Sequence, residues 1–225
     1  MSRRRSYTFS TSPNIFRKRC TNPINFRVAV LGTPAVGKTA LMVRYTTKRF
    51  IGEYDPTLET LCTYSTTIDN EDVTMEILDT AGHVQNSRGL PNSYSYWGDA
   101  FVFVYSITDP QSFAEIVNIR QVVSEATGSD HVPGVLVGNK VDMQDNERTI
   151  REVEGELLAS QMGIPFYEIS AKDGRQIQAV AEVFRNLYRT WRQKHVIIET
   201  GKKTKITTQW RKAITKLIRS NRYSV

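Results

Sequence analysis

From Phe26 to Trp191 the chain alternates two hydrophobic rhythms. Short apolar, β-branched runs end at turn residues, and longer segments repeat apolar positions every three or four residues. Arg27–Leu31 stops at Gly32 and reads as a buried strand. Thr60–Ile68 is Thr-rich and β-prone, and Val73, Met75 and Ile77 alternate with Thr74, Glu76 and Leu78. The polar Asp69–Asp72 between them predicts a hairpin turn. Phe101–Tyr105, Val135–Val137 and Phe166–Ile169 read as three more strands. Helical spacing appears in Ala40, Leu41, Val43 and Arg44, and near 111–126, 150–162 and 175–193. The last segment carries Ile177, Val180, Phe184, Leu187, Tyr188 and Trp191 on one stripe. Helices between strands imply right-handed crossovers. The expected fold is α/β: a six-stranded, mainly parallel sheet with one antiparallel edge strand and helices on both faces.

Charge divides the chain in three. Residues 1–25 hold six Lys/Arg and no acid, and 189–225 hold eleven Lys/Arg and only Glu199. The stretch 26–188 has 13 basic and 22 acidic residues, so an acidic body lies between basic flanks although the net charge is +7. The expected organisation is a basic extension over 1–25, a globular domain over 26–193 and a basic tail over 194–225. Such flanks attract polyanions. Two cysteines, Cys20 and Cys62, offer no disulfide framework and suit a reducing compartment. The longest apolar run, Ala100–Tyr105, is far short of the ~18 residues of a membrane span. The acid-free start around Arg3-Arg4-Arg5 also fits a mitochondrial transit segment less well than a solvated extension.

The chemistry begins at Gly32-Thr33-Pro34-Ala35-Val36-Gly37-Lys38-Thr39, which follows a predicted strand and opens a predicted helix. It matches G-x-x-x-x-G-K-[ST], a phosphate-cradling loop. Its glycines let the backbone pass close to phosphates, and its amides together with the helix start near Gly37 and Ala40 face the anion. Lys38 supplies a charge for the β- and γ-phosphates, and the Thr39 hydroxyl a ligand for Mg²⁺. About a hundred residues later, Asn139-Lys140-Val141-Asp142 follows another strand. A carboxylate there accepts from N1–H and the 2-amino group of guanine, whereas adenine would leave it unpaired.

With Tyr54-Asp55-Pro56-Thr57, Asp79-Thr80-Ala81-Gly82 and Ser170-Ala171-Lys172, five motifs stand in order, and the sequence over roughly 26–190 resembles the Ras superfamily of small GTPases, P-loop NTPases. Within it, Lys48–Glu59 and Met75–Gly82 are most similar to the Ras-related, oestrogen-regulated growth inhibitor branch. The resemblance implies a GTP/GDP switch that uses Mg²⁺, with effectors meeting Phe50–Thr60 and His83–Trp97. It implies that Thr57 meets Mg²⁺ only when the γ-phosphate is present, that Asp79 holds Mg²⁺ through water and that the Gly82 N–H touches the γ-phosphate. Phe50 would pack on the guanine, Ala171 would donate to its O6, and Lys172 and Ser170 would support the base pocket beside Asn139, Lys140 and Asp142; Tyr54 lies in the first switch.

Two positions depart from that pattern. His83 stands where the family usually has the Gln that aligns the attacking water, and Pro34 replaces a residue that is often Gly beside an activator's arginine. An arginine finger is worth about 10³–10⁵ in rate, so slow hydrolysis is expected, with a GTP-loaded scaffold as the alternative. Residues 202–222 place Trp210, Ala213, Ile214, Leu217 and Ile218 on one helical face among basic residues, which suits weak contact with an anionic membrane surface. Arg222–Val225 holds no cysteine, so C-a-a-X prenylation is not expected. The expected location is cytoplasmic, with peripheral membrane attachment and the nucleus as further options, and no specific nucleic-acid binding is expected.

Overall fold

A computed structural model describes residues 22–50, 52, 60–80 and 92–196, the side chains of residues 92, 93 and 146 excepted. Six strands form one sheet in the order β2-β3-β1-β4-β5-β6. They are β1 (Ile24–Leu31), β2 (Thr60–Ile68), β3 (Glu71–Asp79), β4 (Ala100–Ser106), β5 (Gly134–Asn139) and β6 (Phe166–Glu168). β2 pairs antiparallel with β3, and every other pairing is parallel. The helices are α1 (Lys38–Thr47), α2 (Asn92–Trp97), α3 (Pro110–Thr127), α4 (Gln144–Glu147) and α5 (Glu152–Met162), followed by α6 over 177–196.

The two faces of β1 explain the layering, because successive side chains of a strand point to opposite sides. Phe26, Val28 and Val30 join a core with Leu41 and Tyr45 of α1 and with Val180, Phe184, Leu187, Tyr188 and Trp191 of α6. Ala29 and Leu31 join a second core with Phe101, Phe103 and Tyr105 of β4, Ile116, Ile119 and Val123 of α3, and Leu158 of α5. β4 and β5 are buried along their whole length, as central parallel strands covered on both faces must be.

The structure moves several expected boundaries. The hairpin turn is only Asp69 and Asn70, both at positive φ (49° and 65°), so Glu71 and Asp72 already belong to β3. Asp and Asn tolerate that conformation, which a two-residue turn of matching twist requires. β1 begins at Ile24 rather than Arg27, paired with Val73. α5 starts at Glu152, not 150, because the Thr149 and Ile150 amides donate to the Ile107 carbonyl at 2.9 and 3.0 Å. Glu154 then accepts from the Arg151 N–H at 2.9 Å and fixes the helix start. α6 follows a 3₁₀ turn, Gly174–Gln176, capped by Asp173, and runs past 193 to 196. α2 was not expected as a helix; Ser95 is buried, and the Arg27 guanidinium lies 5.9 Å from the Trp97 ring.

Candidate functional site

Parallel strands place their carboxyl ends, and the loops that follow them, on one side of the sheet. Here β1 leads into Gly32, β3 ends on Asp79, β5 ends on Asn139, and β6 leads to Ser170. Val30 pairs with Asp79 and Ser106 with Asn139, so these ends lie in adjacent register.

The loop Gly32–Thr39 is held by contacts that only its own residues permit. A Cβ on Gly32 would lie 2.2 Å from the Val104 carbonyl oxygen. Gly37 has φ 97°, and a Cβ there would lie 2.3 Å from Asn139 Nδ2. Ala35 also takes a left-handed conformation at φ 61°. Val36 is buried beneath the loop, whereas Pro34 is exposed on it. α1 then starts at Lys38 with no side chain capping its amides, an arrangement that suits an anion.

Lys38 is buried, and its Nζ donates to the carbonyls of Gly32 (3.0 Å) and Thr33 (2.9 Å). Burial lowers its pKa to about 8, partly offset by the Asp79 carboxylate. The Thr39 hydroxyl donates to Asp79 Oδ2 at 2.5 Å. Burial raises the Asp79 carboxyl above its usual range against the opposing effects of the Thr39 bond and Lys38. Asp79 Oδ1 and the Thr33 hydroxyl are buried with no hydrogen-bond partner. Buried polar atoms are nearly always satisfied, so orphans beside a buried lysine mark a place built for something more. A hydroxyl and a carboxylate, both hard oxygen donors, fit Mg²⁺. Among the described residues no group of three or more His, Cys, Asp and Glu could hold a metal.

Beside the loop opens a cleft of about 280 Å³, lined among others by Ala40, Phe50, Asn139, Lys140, Asp142 and Ala171. Asn139 is buried, and both ends of its amide are in use. Nδ2 donates to the Val36 carbonyl at 2.8 Å, and Oδ1 accepts from the Ala171 N–H at 3.1 Å. Asn139 therefore staples the phosphate loop to the Ser170–Lys172 loop, and the Ala171 N–H points to Asn139. Lys140 adopts φ 71°, which turns the chain so that Asp142 reaches the cleft mouth. The Ser170 hydroxyl donates to Asp142 Oδ1 at 2.5 Å and accepts the Lys172 and Asp173 amides. Phe50 is 40% exposed at the rim, and Lys172 is exposed beside it.

Two further side chains, with no motif to signal them, hold the Ser170–Lys172 loop that borders the cleft. Arg44 is buried and donates to the carbonyls of Ala171 (2.8 Å), Lys172 (2.7 Å) and Lys48 (3.1 Å). Its guanidinium also lies 5.9 Å from the Phe50 ring. Gln176 accepts from the Ser170 N–H at 2.7 Å. A basic residue on an amphipathic helix gives no signal of such a role. Tyr54, Thr57, Gly82 and His83, like the basic segment 202–222, lie outside the described residues.

The Ras family model matches residues 27–193. This chain belongs to the Ras family. It is 41% identical over 192 residues to the Ras-related and estrogen-regulated growth inhibitors of Bos taurus and of Homo sapiens, covering 85% of this chain and 94% of theirs. It is 38% identical over 164 residues to Ras-like protein 1 of Saccharomyces cerevisiae, covering 73% of this chain and 52% of that one. The chain is thus a Ras-like small GTPase, of a family that works with GTP, GDP, Mg²⁺ and effector proteins. The Ras-family loop, the Thr39–Asp79 pair and the cleft beside Asn139 share one end of its sheet.

Proposed function

We propose that this Ras-family chain is a guanine-nucleotide switch whose own turnover of GTP is slow. One observation carries the nucleotide reading: the phosphate loop, Asp79 and the Asn139–Asp142 and Ser170–Lys172 segments converge at the carboxyl ends of β1, β3, β5 and β6. The amides of Gly32–Ala40 and the Lys38 ammonium cradle the phosphates. Asp142, held by Ser170, pairs with the guanine edge, while Phe50, Ala171 and Lys172 enclose the base. Thr39, Thr57 and, through water, Asp79 hold Mg²⁺. Bound Mg²⁺ neutralises charge on the β- and γ-phosphate oxygens.

In hydrolysis, water attacks the γ-phosphorus, the bond to the β–γ bridging oxygen breaks, and GDP and phosphate leave. Lys38 stabilises the charge that gathers on the leaving side. The water must be aligned by the residue after Gly82, which is His83, and imidazole cannot both donate and accept through one terminal amide as glutamine does. Exposed Pro34 stands on the loop where an activator's arginine has to reach in. Effectors dock through Phe50–Thr60 and His83–Trp97 in a cytoplasmic setting. The second reading, a scaffold that stays GTP-loaded with negligible hydrolysis, rests on the same two residues.

Single-turnover hydrolysis with Mg²⁺ tests this directly. The wild type should be slow, and His83→Gln with Pro34→Gly should accelerate it at least tenfold, alone or with an arginine-finger activator. An ordinary intrinsic rate that both substitutions leave unchanged would mean a conventional switch. No measurable turnover over many hours, with GTP retained, would favour the scaffold.

A further inference from the structure

α1 opens at the phosphate loop with Lys38 and Thr39 and closes at Thr47. Lys48 follows at φ 64°, and its N–H donates to the Arg44 carbonyl at 3.1 Å, which turns the chain toward Phe50. Arg44 lies between these two ends of the helix and is only 5% exposed. A guanidinium carries its N–H donors in one rigid plane. Here that plane serves carbonyls from two separate stretches of chain. Nε donates to Ala171 (2.8 Å) and Nη2 to Lys172 (2.7 Å), whereas Nη1 donates to Lys48 (3.1 Å). The Phe50 ring centroid lies 5.9 Å from the same guanidinium. One buried fork therefore ties the Ser170–Lys172 loop to the Lys48–Phe50 stretch, although Ala171 is 127 residues from Arg44.

Lys48 extends the tie. Its Nζ donates to the Tyr45 carbonyl and lies 4.9 Å from the Tyr45 ring and 5.5 Å from the ring of Tyr64 on β2, the strand that follows Thr57 in the chain. Tyr45 in turn stacks on Phe184 of α6 with centroids 4.1 Å apart. On the other side, Asn139 and Gln176 hold the Ser170–Lys172 loop by its amides and Arg44 holds it by its carbonyls. Phe50, Ala171 and Lys172 all line the same cleft.

We propose that Arg44 is a positioning residue for nucleotide retention: it joins the Lys48–Phe50 stretch and the Ser170–Lys172 loop into one latch, so that neither part of the cleft wall opens without the other. This rests on the guanine-nucleotide reading of the cleft. A base leaves when the segments around it part, and parting these two breaks bonds donated by a charged group, which are the stronger kind. Arg44 acts through the two segments it joins, and a fork is needed to join them because an ammonium is a point charge.

The test is a double-mutant cycle on release of a fluorescent GDP analogue from the full chain with Mg²⁺. Arg44→Met should speed release about tenfold, the worth of one to two hydrogen bonds. Lys48→Asn keeps the backbone carbonyl and suits the positive φ but takes the ammonium off the two rings, and it should speed release about threefold, the worth of one cation–π contact. In the Arg44→Met background Lys48→Asn should change release little, because the link through which it acts is gone. Arg44→Lys, which keeps the stem and the charge, takes its place in the cycle if Arg44→Met does not fold. Hydrogen exchange supplies a second readout: in Lys48→Asn the Lys172 and Asp173 amides should exchange faster while those of β5 do not. Two results overturn the latch and leave Arg44 as support for one loop alone: additive effects of the two substitutions, or a Lys48→Asn chain whose nucleotide release and Lys172 and Asp173 amides match the wild type. A wild-type chain that binds no guanine nucleotide would instead overturn the nucleotide reading, and the latch with it.

Discussion

At the carboxyl end of β1, Gly32 and Gly37 leave no room for a Cβ, Lys38 is buried against backbone carbonyls, and Asp79 Oδ1 and the Thr33 hydroxyl lack partners. At its amino end Phe26 sits among the rings of Tyr188 and Trp191, and Glu71 takes both the Tyr188 hydroxyl and the Arg192 guanidinium. The first end holds polar groups and unusual dihedrals that are costly without a ligand. The second holds packed rings and paired charges that lower the free energy of the chain by themselves. Stability and binding should therefore separate along this one strand, and substitutions can ask how cleanly they do so.

The largest effect should come from Trp191→Ala, which empties a ring-lined part of the core. Burial of Trp191 against Phe26, Tyr188 and His195 makes about 3–5 kcal/mol of lost stability the expectation. Chemical denaturation measures it, and nucleotide affinity of the folded fraction should be unchanged. A parallel loss of affinity would mean the two ends are coupled. Next comes Gly37→Val, where the clash with Asn139 Nδ2 and the positive φ act together. Affinity for a fluorescent GDP analogue should fall about 100-fold, near 2.7 kcal/mol at 1.36 kcal/mol per decade. Gly128 has φ 63° but open space around it, so Gly128→Ala should cost only about 1 kcal/mol of stability and no affinity.

Arg44→Met probes a residue placed between these regimes. It removes the donors to Ala171, Lys172 and Lys48, leaving the buried Ala171 carbonyl without its partner. About 2 kcal/mol of stability should be lost, and nucleotide release should quicken roughly tenfold as the loop behind the base loosens. Arg44→Lys should rescue little, since one ammonium cannot reproduce a planar fork aimed at three oxygens.

What could be read from the chain in advance follows from the same contrast. Gly32–Thr39 and Asn139–Asp142 were legible because close backbone approach in the loop and the turn after β5 demand fixed residue types at fixed spacing. The strands were legible because β4 and β5 are apolar throughout and β3 alternates. Arg44 and Gln176 were not, because their partners lie 127 and 6 residues away and only tertiary packing brings those carbonyls and amides to them. Asn139 was marked as a base-pocket residue, but its use as a staple depends on where Val36 and Ala171 end up. α2 was hidden by its Ser- and Asn-rich composition, and the start of α5 was set by the distant Ile107 carbonyl.

The smallest effect concerns Glu71, at the packed end. Its carboxyl is held below the usual range, first by the Arg192 guanidinium and then by the Tyr188 hydroxyl at 2.6 Å. A folded-state pKa below the unfolded value means the pair adds stability above the ordinary carboxylate range, and that stability is lost as pH falls through the depressed value. Because the pair is about one-third exposed, water screens it, and Glu71→Gln should cost only about 0.5–1 kcal/mol at pH 7. The melting-temperature gap between wild type and Glu71→Gln should then shrink as pH falls through and below the ordinary carboxylate range and close once wild-type Glu71 is protonated. Tyr188→Phe, which keeps the ring and the Arg192 pair, should show a smaller gap with the same pH trend. A gap that persists once wild-type Glu71 is protonated would mean that Glu71 stabilises this end through packing of its methylenes on Tyr188 rather than through its charge.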